Sequence, residues 1–274
     1  MSRVPILTPA EADAAYASAQ CVVEAHRRLT CFVRVGQTLA QIDAEVGRIL
    51  ASLSCRSAFF RYRQGRRPPF PSQSCLSVNE CIVHGTAAFN LDPLKSGDLL
   101  SIDIGVVHKG WIGDAAWTYA IKEASSEAQR LMRCGREALR RGIPCLKPGA
   151  PYVDWARAVQ ICVESESGFH CVRGLGGHGY FRDDLHRPPY IANVVSDPRS
   201  PWAEAMQRWQ PGNLVAVEPM ISAGTGDTSD DPSSWPILTA DRSLSVHYEA
   251  DVLITSSGPR DLTQGMQDLP DVLG

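Results

Sequence analysis

The chain has 274 residues, 30 acidic and 27 basic, for a formal charge of −3. Its 44% apolar and 21% charged residues suffice for a buried core, which excludes a mostly disordered chain. Near-neutral charge argues against a general polyanion binder, and no apolar run reaches the ~18 residues of a membrane-spanning helix.

Residues 1–7 turn polar too soon for the apolar core of a signal peptide, and are expected to be loosely ordered. Thr8-Pro9-Ala10-Glu11 reads as a helix start, with a capping hydroxyl, proline at the first helical position and Glu three residues on. That helix should run to about Cys31. After a break at Val35-Gly36-Gln37, Thr38 caps a second helix through Leu53. An irregular stretch follows to Ser74 and carries Arg56, Arg61, Arg63, Arg66 and Arg67. Leu76 to Val83 reads as a strand, and Leu99 to Ile121 as a hairpin turning around His108-Lys109-Gly110. Helices are expected over 123–141 and 151–165, then strands over 189–194, 213–221 and 245–255. The loop 222–234 is polar, and the chain from about 258 to 274 is expected to be loosely ordered. The break before Thr38 is echoed by Pro148-Gly149-Ala150 before the later helix. The echo suggests two related α+β halves with a site between them.

Nine cysteines, at 21, 31, 55, 75, 81, 134, 145, 162 and 171, form no Cys-x-x-Cys pair. Most sit beside apolar residues, as buried thiols in a reducing cytosol do.

Chemistry concentrates at a few acidic and imidazole side chains. With His108-Lys109 as a two-residue turn, Asp103 and Asp114 stand directly opposite each other on one sheet face. A bulge at Gly110 would make the pair diagonal. Two carboxylates about 5 Å apart in an apolar strand pair repel, and a multivalent cation is the economical compensation. The competing reading is a pair of strand-end residues facing water. His178 sits in a glycine-dense loop, Gly174 to Gly179. Glu218 ends a fully apolar strand, a costly place for an unpaired charge. Glu249 and Asp251 share one face of another strand, so either can point into a site. Four carboxylates and one imidazole suit two divalent ions, and the oxygen-rich set favours manganese, iron or cobalt over a thiolate-type zinc site.

In this order and spacing the chain resembles the pita-bread metallopeptidases, specifically the type I methionine aminopeptidase family, from about Thr8 to Thr263. The resemblance rests on Asp103, Asp114 eleven residues on, His178, Glu218 and Glu249. Ser77-Val78-Asn79-Glu80 with His84-Gly85, and Asp241-Arg242-Ser243-Leu244-Ser245 before Glu249, carry it further. It implies an α+β pita-bread fold, with two pseudo-symmetric halves of antiparallel sheet backed by helices, as a single catalytic domain over residues 1–274. It also implies a dinuclear metal hydrolase (manganese, iron or cobalt, with zinc a further option) that removes the initiator methionine from nascent chains. Metal-activated water would attack the first peptide bond. Asp103 would hold one metal, Asp114 and Glu249 would bridge both, and His178 and Glu218 would complete the second. Glu218 would also shuttle a proton, and His84 and His186 would contact the scissile peptide. Phe70, Cys75, Leu185 and Trp235 fall at the family's methionine-pocket positions; ordinary core packing is the competing reading for them.

Three departures from the family pattern stand out. Thr86-Ala87 replaces the usual Ile-Pro or Val-Pro after His-Gly, which loosens the loop of His84. His178 and His186 are eight apart, one more than usual, so a bulge or a repositioned His186 is expected. The arginine-rich segment 57–67 replaces a tyrosine-bearing pocket wall. Its arginines read first as a solvated rim, and second as a contact to ribosomal RNA. The expected setting is a cytoplasmic monomer without membrane contact.

Two other functions compete. A proline-directed aminopeptidase or dipeptidase of the same fold usually has a sizeable extra N-terminal domain, whereas fewer than 80 residues precede Ser77 here. The type II methionine aminopeptidases carry a large insertion where only 39 residues separate His178 from Glu218. A non-catalytic peptide- or nucleic-acid-binding relative would be expected to have lost ligands.

Overall fold

The computed structural model describes residues 6–182, 184–197 and 201–274. The first half begins with two helices, α1 (Pro9–Thr30) and α2 (Leu39–Ser52). Both open on complete capping boxes, Thr8 with Glu11 and Thr38 with Gln41. Helix α1 buries Ala15, Ala19, Val22, His26 and Leu29, the three- and four-residue spacing of one helical face. The strands of this half are β1 (Arg56–Ser57), β2 (Cys75–Val78), β3 (Cys81–Val83), β4 (Leu99–His108) and β5 (Trp111–Ile121). The single strand expected over 76–83 is two strands, turned at Asn79, whose φ is +54°.

The second half begins with α3 (Ser126–Gly142) and α4 (Val153–Gln160), the latter continuing as a wider π turn to Glu166. Its strands are β6 (His170–Cys171), β7 (Gly176–Phe181), β8 (Asp184–Ala192), β9 (Leu214–Val217) and β10 (Met220–Ser222). Then come β11 (Thr228–Asp230), β12 (Ile237–Thr239), β13 (Ser245–His247), β14 (Ala250–Thr255), β15 (Gly258–Asp261) and β16 (Val272–Leu273).

Two five-stranded sheets carry the architecture. One runs β1-β4-β5-β16 with β2 also on β4, and the other runs β15-β14-β9-β7-β8. Pairing is antiparallel apart from β16, which lies parallel to β5. Helices α1 and α2 cover the first sheet with Val22, Leu29, Ile42 and Leu50 against Ile102, Ile104 and Tyr119. A Cβ at Gly113 would lie 2.6 Å from the backbone of Ser18 and Ala19, so glycine lets α1 sit directly on β5.

Two expectations about the ends and turns change. The chain after 258 is not loose: β15, a short 3-10 turn and β16 are built there, and Leu262, Met266 and Leu273 are buried. Leu7 is also buried and donates to the carbonyl of Gly212, whereas residues 1–5 lie outside the described part. The hairpin turn is Lys109-Gly110, one residue later than His108-Lys109, with φ of +51° and +79° as a type I′ turn requires. Asp114 therefore pairs with Gly105 and Asp103 with Ala116, so the two carboxylates are diagonal on one face.

Candidate active site

All five acidic and imidazole candidates line one cavity of about 490 Å³ at the meeting of the halves. Asp103 and Asp114 come from β4 and β5 of the first sheet. The second sheet supplies His178 on β7, Glu218 just after β9 and Glu249 just before β14. The ladders β9–β14 and β10–β13 share one register, so Glu218 and Glu249 face each other in the gap between them. Pro219 makes that gap, because it has no N–H for the ladder and biases the residue before it. The freed N–H of Glu249 donates to the carbonyl of Ala116 on β5 at 2.9 Å, which joins the two halves at the site.

Distances and burial define the chemistry. His178 Nε2 lies 3.9 Å from Asp114 Oδ2 and 3.7 Å from Glu218 Oε1. Asp114, His178 and Glu249 bring one ligand atom each within 4.8 Å of one another. Asp114 and Glu249 are each 2% exposed, and Oδ1 of both Asp103 and Asp114 is buried without a hydrogen-bond partner. Burial, followed by the neighbouring carboxylates, holds Asp114, Glu218 and Glu249 well above the usual carboxylate range. Burial pushes Asp103 up to about 7, and burial followed by the neighbouring His186 pushes His178 down to about 3, which leaves the imidazole neutral. Crowded carboxylates with orphaned oxygens and a neutral ring are what a divalent cation relieves, so the donor set fits a metal.

The remaining candidates line the same cavity. Phe70, Cys75, Leu185 and Trp235 are buried in its wall, and Trp235 meets Phe70 edge-on at 5.2 Å between centroids. Cys75 pairs with Asp103 in the β2–β4 register, so its thiol borders the carboxylates. His84 lies edge-on to Trp235 at 5.9 Å, and burial pushes it down to about 3. His186 stands at the exposed rim, 4.4 Å from the His178 ring between centroids.

A family model, metallopeptidase family M24, matches residues 13–256. The chain belongs to that family. The M24 chain is 32% identical over 267 residues to methionine aminopeptidase 1 of Mycobacterium tuberculosis, covering 96% of each. Its fold matches the crystal structure of methionine aminopeptidase from Thermotoga maritima with TM-score 0.85 and 32% identity, over 95% of this chain and 99% of that one. A Xaa-Pro dipeptidase from Bacillus anthracis shares the fold at TM-score 0.72 and 20% identity, but only 64% of it is covered. The M24 fold is the expected pita-bread one, with α+β content and mainly antiparallel sheets.

Against that family the structure shows how the departures are accommodated. Without the proline, the loop of His84 is held by Ser77 Oγ accepting from Gly85 N at 3.1 Å and Ser72 Oγ accepting from Ala87 N at 2.9 Å. The extra residue before His186 is absorbed by β-bulges in the β7–β8 ladder at His178 and Gly179. The glycine-dense segment is strand rather than loop from Gly176 on, and a Cβ at Gly177 would lie 2.3 Å from the carbonyl of Ala216 on β9. The arginine-rich segment does carry a tyrosine. Tyr62 lines the cavity, and its hydroxyl lies 2.6 Å from His186 Nδ1. Arg67 pairs with Asp230 at 3.0 Å and covers the Trp235 ring, while Arg56, Arg61, Arg63 and Arg66 are exposed.

Two supporting residues escaped the sequence reading. His247 lines the cavity with Nε2 3.3 Å from Glu218 Oε2 and 3.9 Å from Glu249 Oε2, and strand alternation back from Glu249 was the signal for it. Asn193 donates to the Glu218 carbonyl at 2.8 Å, and no local pattern marks it. Asp251, the alternative to Glu249, lies outside the cavity lining and accepts from the Asp114 N–H at 2.8 Å.

Proposed function

We propose that the chain removes N-terminal methionine from nascent proteins in the cytoplasm, using two divalent ions of the manganese, iron or cobalt kind. The observation that carries this reading is the convergence of Asp103, Asp114, His178, Glu218 and Glu249 on one cavity. Identity of 32% to methionine aminopeptidases, against 20% to the Xaa-Pro dipeptidase, supports methionine over proline direction. No helix among the described residues is long and apolar enough to cross a membrane.

In this reading Asp103 would hold one ion, Asp114 and Glu249 would be shared, and His178 and Glu218 would hold the other. Bound ions supply Lewis acidity, which makes water nucleophilic near neutral pH. Glu218 takes up and returns the proton, since a carboxylate raised by burial is a competent acid and base. His247 Nε2 lies 3.3 Å from the Glu218 carboxylate in the cavity wall. His84 and His186 contact the scissile peptide and stabilise the oxyanion that forms on it. The wall of Phe70, Cys75, Leu185 and Trp235 receives the methionine side chain, a flexible thioether suited to a narrow apolar slot. The arginine rim is a solvated edge whose Arg67 buttresses Trp235.

The test is hydrolysis of Met-Ala-Ser against Lys-Ala-Ser by manganese- or cobalt-loaded protein. Metal-dependent release of methionine alone is the expected result. Absence of cleavage with the metals bound would overturn the enzyme reading.

A further inference from the structure

Among the described residues two groups bring three metal-ligating side chains within 4.8 Å of one another. One is the cavity centre. The other is Cys21, Cys55 and His108, which no step above uses. Cys21 lies in α1, Cys55 immediately precedes β1, and His108 ends β4 beside the hairpin turn. Three segments far apart in sequence thus deliver two thiols and an imidazole to one point, and all three side chains are partly exposed.

From this geometry we propose a second, thiolate-type metal site, held by Cys21, Cys55 and His108, for a borderline-soft divalent cation of the zinc kind. Zinc–sulfur bonds of about 2.3 Å and zinc–nitrogen bonds of about 2.0–2.1 Å place tetrahedral S and N ligands about 3.6 Å apart. Cys55 Sγ lies 3.5 Å from His108 Nδ1. A simple S–H···N contact would need no second thiol, yet Cys21 Sγ is within 4.8 Å of both partners. Two thiolates balance the charge of a divalent ion, and the neutral imidazole completes a three-ligand set whose fourth position opens to water. Binding releases the two thiol protons to solvent. The ion would fasten α1 and the segment after α2 to the tip of the β4–β5 hairpin. Its donor chemistry differs from the oxygen-rich cavity, so one chain can hold both kinds of ion.

The test uses the full chain, stripped of metal and kept reduced, with cobalt(II) as spectroscopic probe and zinc as competitor. The expected result is a near-ultraviolet thiolate-to-cobalt absorption that zinc abolishes. The double variant Cys21→Ser/Cys55→Ser should lose this band and one equivalent of bound metal, while methionine release stays within about twofold of the parent. His108→Asn keeps both thiols and should weaken the band, which serves if the double variant does not fold. Absence of the band in the parent chain would overturn the proposal, as would its persistence in the double variant. So would a Cys21–Cys55 disulfide that forms on oxidation in a chain that binds no thiolate-ligated metal when reduced.

Discussion

At the scale of single residues, the cavity separates groups that would hold metal from groups that would touch substrate. Asp114 is buried, shares its surroundings with His178 and Glu249, and has an orphaned oxygen. His186 stands at the rim, held by Tyr62 rather than by a carboxylate of the centre. Asp114→Asn should therefore abolish turnover and weaken metal binding by at least ~100-fold, more than the loss of an orienting neighbour. His186→Ala should lower kcat by about 100-fold and leave metal stoichiometry intact. Calorimetric metal titration alongside steady-state kinetics checks the pair; loss of both metals from the His186 variant would contradict the division. The ligand candidates were legible because charged residues in apolar strands are costly and so conspicuous. Tyr62 was not, because its segment has no periodicity and only the folded cavity shows which way the ring points.

At the scale of elements, local chemistry was readable and long-range pairing was not. The capping boxes at Thr8 and Thr38 act over three residues, so both helix starts follow from the sequence. The hairpin was readable too, with its turn among His108-Lys109-Gly110, but the two-residue version His108-Lys109 lies one residue early. A type I′ turn needs positive φ at both central residues, which puts Gly110 inside it. The order of the last residues depends on β16 finding β5, a partner some 150 residues away, as no local pattern announces. Gly113 is the element-scale contact most open to test. Gly113→Ala would drive a methyl against the α1 backbone, 2.6 Å from Ala19 N, and should cost about 1–3 kcal/mol by overpacking. Urea unfolding should show a lowered midpoint at unchanged slope; an unchanged midpoint would mean that α1 does not rest on β5 as described.

At the scale of the whole molecule, the two sheets meet through the site itself. Asp251 of the second half accepts from the Asp114 N–H, and Glu249 donates to Ala116 of the first. The junction also sets a pH dependence for the metal-free protein. Burial holds His26, His84, His178 and His247 near 3 in the fold, and unfolded histidines titrate near ~6.5. Between about pH 7.5 and 8.5 these histidines, and His186, which burial pushes down to about 4, are therefore mostly neutral in both states. Burial pushes Asp103 up to about 7 and Asp251 up to about 8, whereas both ionise near ~4 when unfolded. The folded chain then binds more protons than the unfolded one, so stability falls as pH rises through this window. Thermal melts of chelator-treated protein should show Tm falling from pH 7.5 to 8.5, with a shallower fall for Asp251→Asn. A Tm that rises with pH would contradict the burial of these carboxylates without compensation.

The convergence of four carboxylates and one imidazole on a cation is tested most directly by diffraction from crystals soaked in manganese. Data collected at wavelengths either side of the manganese absorption edge should show anomalous peaks enclosed by Asp103, Asp114, His178, Glu218 and Glu249. Peaks confined to other surfaces, with that cavity free of manganese, would contradict the account.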